Sequence, residues 1–74
     1  MNSYELMLSP IDDLRLSTRL IHCLNSNNIY YVGDLVRCDT LDLIRLKGFG
    51  IKSLCDVNKT LAENGLSLRS NQVY

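Results

Sequence analysis

The sequence has no surplus of charge: eight Lys and Arg stand against eight Asp and Glu, a formal net charge of zero. Domains that hold polyanions by bulk charge are usually strongly basic, so that class is excluded, and any nucleic-acid binding must rest on a local basic patch. Cysteine is sparse and odd in number. Cys23, Cys38 and Cys55 lie 15 and 17 positions apart, with no C-x-x-C pair, and His22 is the only histidine. A zinc site therefore has too few ligands at workable spacing, and neither metal nor cofactor is expected. The three are read as reduced thiols of the core. No apolar run approaches the ~20 residues of a membrane span, so no membrane partner is expected. The opening "MNSYELMLSP" lacks the basic and apolar blocks of a signal peptide, which makes the cytoplasm the expected compartment. A catalytic site is missing too. No Ser/His/Asp arrangement stands at recognisable spacing, and in strand-like chain Asp12 and Asp13 would point to opposite sides. The expectation is a non-catalytic domain.

What is present is one domain's worth of chain, 74 residues at 46% hydrophobic. Such a chain buries only about 60% of its unfolded surface, near the lower limit for an independent core. Residues 1–9 read as an irregular, flexible arm, 10–68 as the domain and 69–74 as a flexible tail. Ile11, Leu14 and Leu16 anchor an extended or turn-like stretch. Leu20, Ile21, Cys23 and Leu24 then recur at helical spacing behind a Ser17 or Thr18 cap, giving a helix over about 18–25. The run "NSNN" stops it, because asparagine tolerates left-handed backbone. A short helix is expected over 32–37, with Asp34 in its first turn. Asp39-Thr40-Leu41-Asp42 resembles a capping box, opening a further short helix with Leu41, Ile44 and Leu46 turned inward. The last helix runs from about 51 to 63, its inner face formed by Leu54, Cys55, Val57, Leu61 and Ala62, and Asn64-Gly65 stops it. Leu66 and Leu68 pack back. Tyr30, Tyr31 and Phe49 are read as core. The fold class is all-α, a compact domain of four to five helices.

The stretch "LKGFGIKSL" at 46–54 carries the chemistry. A phosphate-binding P-loop needs G-x-x-x-x-G-K-[ST] after a buried strand, and both the spacing and the preceding helical pattern fail. Two readings remain. One is a plain corner between helices, in which glycines supply only positive φ and close packing. The other is a helix–hairpin–helix, with Leu46, Gly48, Phe49, Gly50, Lys52 and Ser53 in its places. There the glycines let the backbone approach a nucleic-acid phosphate, and the first free N–H groups of the next helix point at it. Lys52 adds charge, Ser53 a hydroxyl, and Phe49 pins the turn. Such contacts hold the backbone and carry no base information.

"PIDDLRLSTRLIHCLNSNNIYYVGDLV", followed by "LKGFGIKSLCDVNKTLAENGLSL", resembles the C-terminal domain of the bacterial RNA polymerase α subunit over about Leu8 to Leu68. The elements that carry the resemblance are "PIDDL", an arginine followed four residues on by Cys-Leu, "VGDLV", G-x-K-S-L and the closing L-A-x-x-G-L-S-L. It implies a module that docks in the minor groove of A·T-rich duplex DNA upstream of promoters. It also implies contacts with the σ factor, transcription activators and the remainder of the polymerase. Arg19 falls on the arginine that enters the groove, whose narrow A-tract form attracts such a side chain. Gly48, Gly50, Lys52 and Ser53 fall on the backbone-gripping turn, and His22 and Asn25 on the helix that faces DNA. The acidic face toward σ keeps Asp12 and Asp13 but has Arg15 where an acid is usual. Asp39, Thr40, Leu41 and Asp42 correspond to the surface met by activators.

Three departures thin the DNA face. His22 replaces an asparagine, Asn25 a common lysine, and Ile51 a common lysine or arginine. Each lost phosphate contact lowers affinity and flattens its salt dependence. A grip weaker than the family's usual one, or none, is therefore implied, and the alternative is a protein–protein adaptor of the transcription machinery that keeps the fold. The isolated domain is expected to be monomeric, in the bacterial nucleoid or a plastid.

Overall fold

A computed structural model describes residues 2–69. Among them run five α-helices and one 3-10 turn, with no strand: α1 (Ser3–Met7), the turn Ile11–Asp13, α2 (Thr18–Ser26), α3 (Val32–Val36), α4 (Thr40–Ile44) and α5 (Ile51–Glu63). The all-α reading is borne out. The radius of gyration, 11.2 Å, matches the ~11 Å of one folded body of this length.

Local chemistry sets the helix ends. Ser17 caps α2, its Oγ accepting the Leu20 amide at 3.1 Å. Asn28, at φ 65°, ends the same helix, with the Ile29 amide reaching back to the Leu24 carbonyl at 3.0 Å. Gly65, at φ 72°, does the same for α5, where the Leu66 amide bonds the Leu61 carbonyl at 2.8 Å. Both are left-handed stops that satisfy carbonyls left open by the helix end. Asp34 accepts the Tyr30 and Tyr31 amides at 3.3 and 3.2 Å and so anchors the start of α3.

The core gathers Ile11, Leu14, Leu20, Leu24, Val32, Leu35, Leu43, Phe49, Val57, Leu61 and Leu68, so every helix from α2 to α5 contributes. Ile11 and Leu14 anchor the "PIDDL" turn as expected, and Leu68 packs back.

Several expectations are corrected. Residues 3–7 are helical rather than irregular, because Leu6 and Met7 have an apolar seat to fill and α1 lies against α3. The close approach needs Gly33: a Cβ there would lie 2.9 Å from the Met7 carbonyl oxygen. On α4 the buried residue is Leu43, while Leu41 is 59% and Ile44 40% exposed. A five-residue helix turns one side chain fully inward, and the apolar run 41–46 fits more than one phase. On α5, Cys55 and Ala62 face solvent and Thr60 joins Val57 and Leu61 inside. Tyr30 and Tyr31 are exposed. Their backbone makes the contacts instead, as the Ile11 amide bonds the Tyr30 carbonyl at 2.9 Å and Tyr31 bridges Pro10.

The three thiols are free, but only Cys23 and Cys38 are half-buried; Cys55 is exposed. Of the expected tail, Arg69 is fastened, its amide bonding the Cys38 carbonyl at 3.0 Å. Residues 70–74 lie outside the described residues.

Candidate functional site

The turn after α4 brings the backbone back toward α2. The Phe49 amide bonds the Leu46 carbonyl at 3.1 Å, and Gly48 between them sits at φ 83°, where any side chain is strained. Phe49 is buried and pins the turn to the core. Gly50 then starts α5 from extended backbone, φ −124°, and no side-chain group caps the helix. The first amides of α5 are therefore left for something else to meet. Gly50 is also unencumbered: a Cβ built on it would find nothing within 4 Å.

Facing this turn is the first half of α2. The Cys23 thiol donates to the Lys47 carbonyl at 3.4 Å and ties helix to hairpin. Between them lies a cleft of about 370 Å³, lined among others by Ser17, Arg19, Cys23, Gly48, Gly50 and the Lys52–Ser53 turn. Arg19 and Lys52 contribute two cations, and Asp56 one carboxylate. The Lys52 ammonium lies 3.4 Å from Asp56, but the lysine side chain is 90% exposed. An exposed pair one helical turn apart contributes little stability, so Lys52 can exchange Asp56 for another anion at small cost.

Five of the seven residues expected on the DNA face thus line one cleft: Arg19, Gly48, Gly50, Lys52 and Ser53. His22 and Asn25 do not line it. His22 is exposed one turn along α2. Asn25 follows Arg19 by six residues, which at ~100° per residue turns it about 120° away. Its Oδ1 is buried with no hydrogen-bond partner among the described residues. Sequence reading passed over Cys23 and Asp56 as parts of the cleft. Asp56 had a legible signal, standing four residues after Lys52 on the same helix face; the Cys23–Lys47 contact had none.

The acidic residues fall into two other places. Asp12 and Asp13 are exposed in the 3-10 turn, and Arg15 is exposed just after it. Asp39 and Asp42 form the expected capping box: Asp39 accepts the Asp42 amide at 3.2 Å and Asp42 the Asp39 amide at 3.1 Å. The box also holds Arg69, whose guanidinium donates to Asp39 at 2.9 Å and lies 3.6 Å from Asp42. The Arg69 hydrogen bond, seconded by the Asp42 amide, holds the Asp39 carboxyl below the usual carboxylate range. Burial, with the neighbouring carboxylates, pushes the Cys38 thiol up. Thr40 is half-buried, and Leu41 projects outward beside the box.

A family model for the C-terminal domain of the bacterial RNA polymerase alpha subunit matches residues 2–63. The protein belongs to that family. The match opens at Asn2, the N-cap of α1, and closes at the last residue of α5, so it takes in the hairpin, the cleft and the capping box. Membership makes this a transcription module, associated with RNA polymerase and DNA, of a kind that is a non-catalytic part of the polymerase. Among the described residues, no helix is long and apolar enough to cross a membrane.

Proposed function

We propose that this RNA polymerase α C-terminal domain docks on the minor groove of A·T-rich upstream promoter DNA through α2 and the hairpin. The observation that carries the reading is the meeting of Arg19 with Gly48, Gly50, Lys52 and Ser53 in one cleft, although some 30 positions separate them in sequence. Arg19 enters the narrow groove, where the potential is most negative. The uncapped amides of α5, the Ser53 hydroxyl and the Lys52 ammonium receive a neighbouring phosphate. Asn25, turned away from the cleft, contributes little, and His22 reaches the DNA only from its edge.

Two further faces serve proteins in this reading. Asp12 and Asp13 face the σ factor, with Arg15 interrupting the acidic run. Asp39, Thr40, Leu41 and Asp42 meet transcription activators. The second reading, a protein–protein adaptor with little hold on DNA, draws on the exposed Leu41 and Ile44 and on the zero net charge.

Backbone amide shifts during titration with an A·T-rich duplex and a G·C-rich control separate the two. The DNA reading expects the A·T-rich duplex to perturb Arg19 and residues 50–53 preferentially, and Arg19→Ala to abolish the preference. Shifts confined to α4, or none on the cleft even at low salt, leave the adaptor reading in its place.

A further inference from the structure

Beyond the hairpin cleft, the surface continues, between α5 and residues 15–17 ahead of α2, into a second groove of about 280 Å³. The two share Ser17 and Asp56, so they form one continuous furrow. Arg15 and Lys59 stand over the second part. Both are exposed, and neither has an ion-pair partner among the described residues. Lys59 follows Lys52 by seven residues, two turns of α5, which keeps both lysines on one face and separates them by ~10 Å along the axis.

We infer that the DNA-binding surface extends along this furrow, with Arg15 and Lys59 taking a second phosphate of the duplex held at the hairpin. The inference rests on the DNA reading above. The separation fits: ~10 Å exceeds the ~3.4 Å axial rise per phosphate of one strand, so the two ends of the furrow meet different phosphates. Three carboxylates border the path. Asp56, where the two parts join, pairs with Lys52 at 3.4 Å, and that exposed pair opens when Lys52 takes a phosphate. Glu63 lines the second groove alongside Arg15 and Lys59, and Asp13 joins it where the groove opens past Arg15, beside Asn64.

A protein partner is the poorer match. Interfaces of that kind centre on buried apolar or aromatic anchors, and among the described residues the only apolar side chain lining the second groove is the half-buried Leu16. Cations and hydroxyls suffice for a sugar–phosphate backbone. In a protein with no net charge, these two cations would double the basic residues available to DNA from two to four.

The test is fluorescence anisotropy of an A·T-rich duplex over a series of salt concentrations. The variants are Arg15→Ala with Lys59→Ala, Arg19→Ala, and Arg45→Ala on the C-cap of α4 as a control. Removing Arg15 and Lys59 together should flatten the log–log salt slope by about 1, for the one phosphate they take, and weaken low-salt binding at least tenfold. The A·T over G·C preference should be retained, since phosphate contacts carry no sequence information. Arg45→Ala should match the parent protein. Both altered side chains are exposed, and unchanged thermal unfolding verifies the fold. The inference is overturned if slope and affinity stay at parental values while Arg19→Ala still abolishes the preference; the DNA reading then survives alone. It is equally overturned if the double variant binds DNA normally but loses binding to a poly-glutamate peptide, which would assign the pair to an acidic protein. If the parent protein binds no duplex at low salt, the DNA reading fails and takes this extension with it.

Discussion

Gly48 and Gly50 stand two residues apart in one turn, yet alanine should act on them in opposite ways. Gly48 is at φ 83°, a region where an L-residue costs about 1–2 kcal/mol. Space does not relieve that cost, although the new Cβ would meet only the Cys23 sulfur, at an ordinary 3.8 Å. Gly50 is at φ −124° with nothing within 4 Å of a Cβ. Alanine there is a somewhat poorer N-cap than glycine, and the reduced freedom of the unfolded state offsets it by about 0.4–1 kcal/mol. For a domain of this size, 1 kcal/mol moves the melting temperature by roughly 4–8 °C. Gly48→Ala should therefore lower Tm by at least ~4 °C, and Gly50→Ala should stay within ~4 °C of the parent. Duplex affinity should show the reverse sensitivity. A methyl at Gly50 stands in open space beside the first amides of α5, and a lost hydrogen bond to a charged oxygen costs ~1.5–3 kcal/mol, about tenfold or more in Kd. Scanning calorimetry and anisotropy on the same two proteins decide the matter. Equal melting temperatures, or a Gly50→Ala variant that binds as tightly as the parent, would refute the reasoning.

Three other outcomes are expected. Gly33→Ala should destabilise by about 1–3 kcal/mol in urea, despite alanine's ~1 kcal/mol better helix propensity, because its Cβ would meet the Met7 carbonyl at 2.9 Å; a stabilised variant would mean that α1 moves aside freely. Asp39 has a folded pKa below the ordinary ~3.9, so its contribution to stability is present above that value and is lost as pH falls through the lower folded one. Arg69→Ala should raise the Asp39 midpoint in a carboxyl-carbon NMR titration, and an unmoved midpoint would show that the ion pair is absent in solution. Iodoacetamide near neutral pH should label the exposed Cys55 before Cys38, whose thiol is half-buried and raised in pKa; mass spectrometry of the labelled peptides reads the order.

The helix ends were legible because they are local. Ser17, Asp39 with Asp42, and Asn64-Gly65 act within a few residues of themselves, and the structure has the caps and stops where those residues predict them. The hairpin was legible for the same reason, since positive φ at Gly48 is written in the residue type. Which side of a helix faces inward was less so. On α4, a single turn carrying Leu41, Leu43 and Ile44 has no period long enough to fix its phase, and only packing against the rest of the domain chose Leu43. The same holds for α1, whose seat depends on Gly33 some 26 residues beyond Met7.

By itself, then, the sequence determined the class, the family motifs, the approximate spans of α2 to α5 and the glycine turn between α4 and α5, all properties of neighbouring residues. Tertiary structure alone decided that Arg19 shares a cleft with Lys52, that Asn25 turns away from it, and that Arg15 and Lys59 stand over its continuation. The physical reason is that no periodicity along a sequence encodes the distance between two helices. That distance comes from how buried side chains of α2, the hairpin and α5, Leu20, Phe49 and Val57 among them, pack into one core.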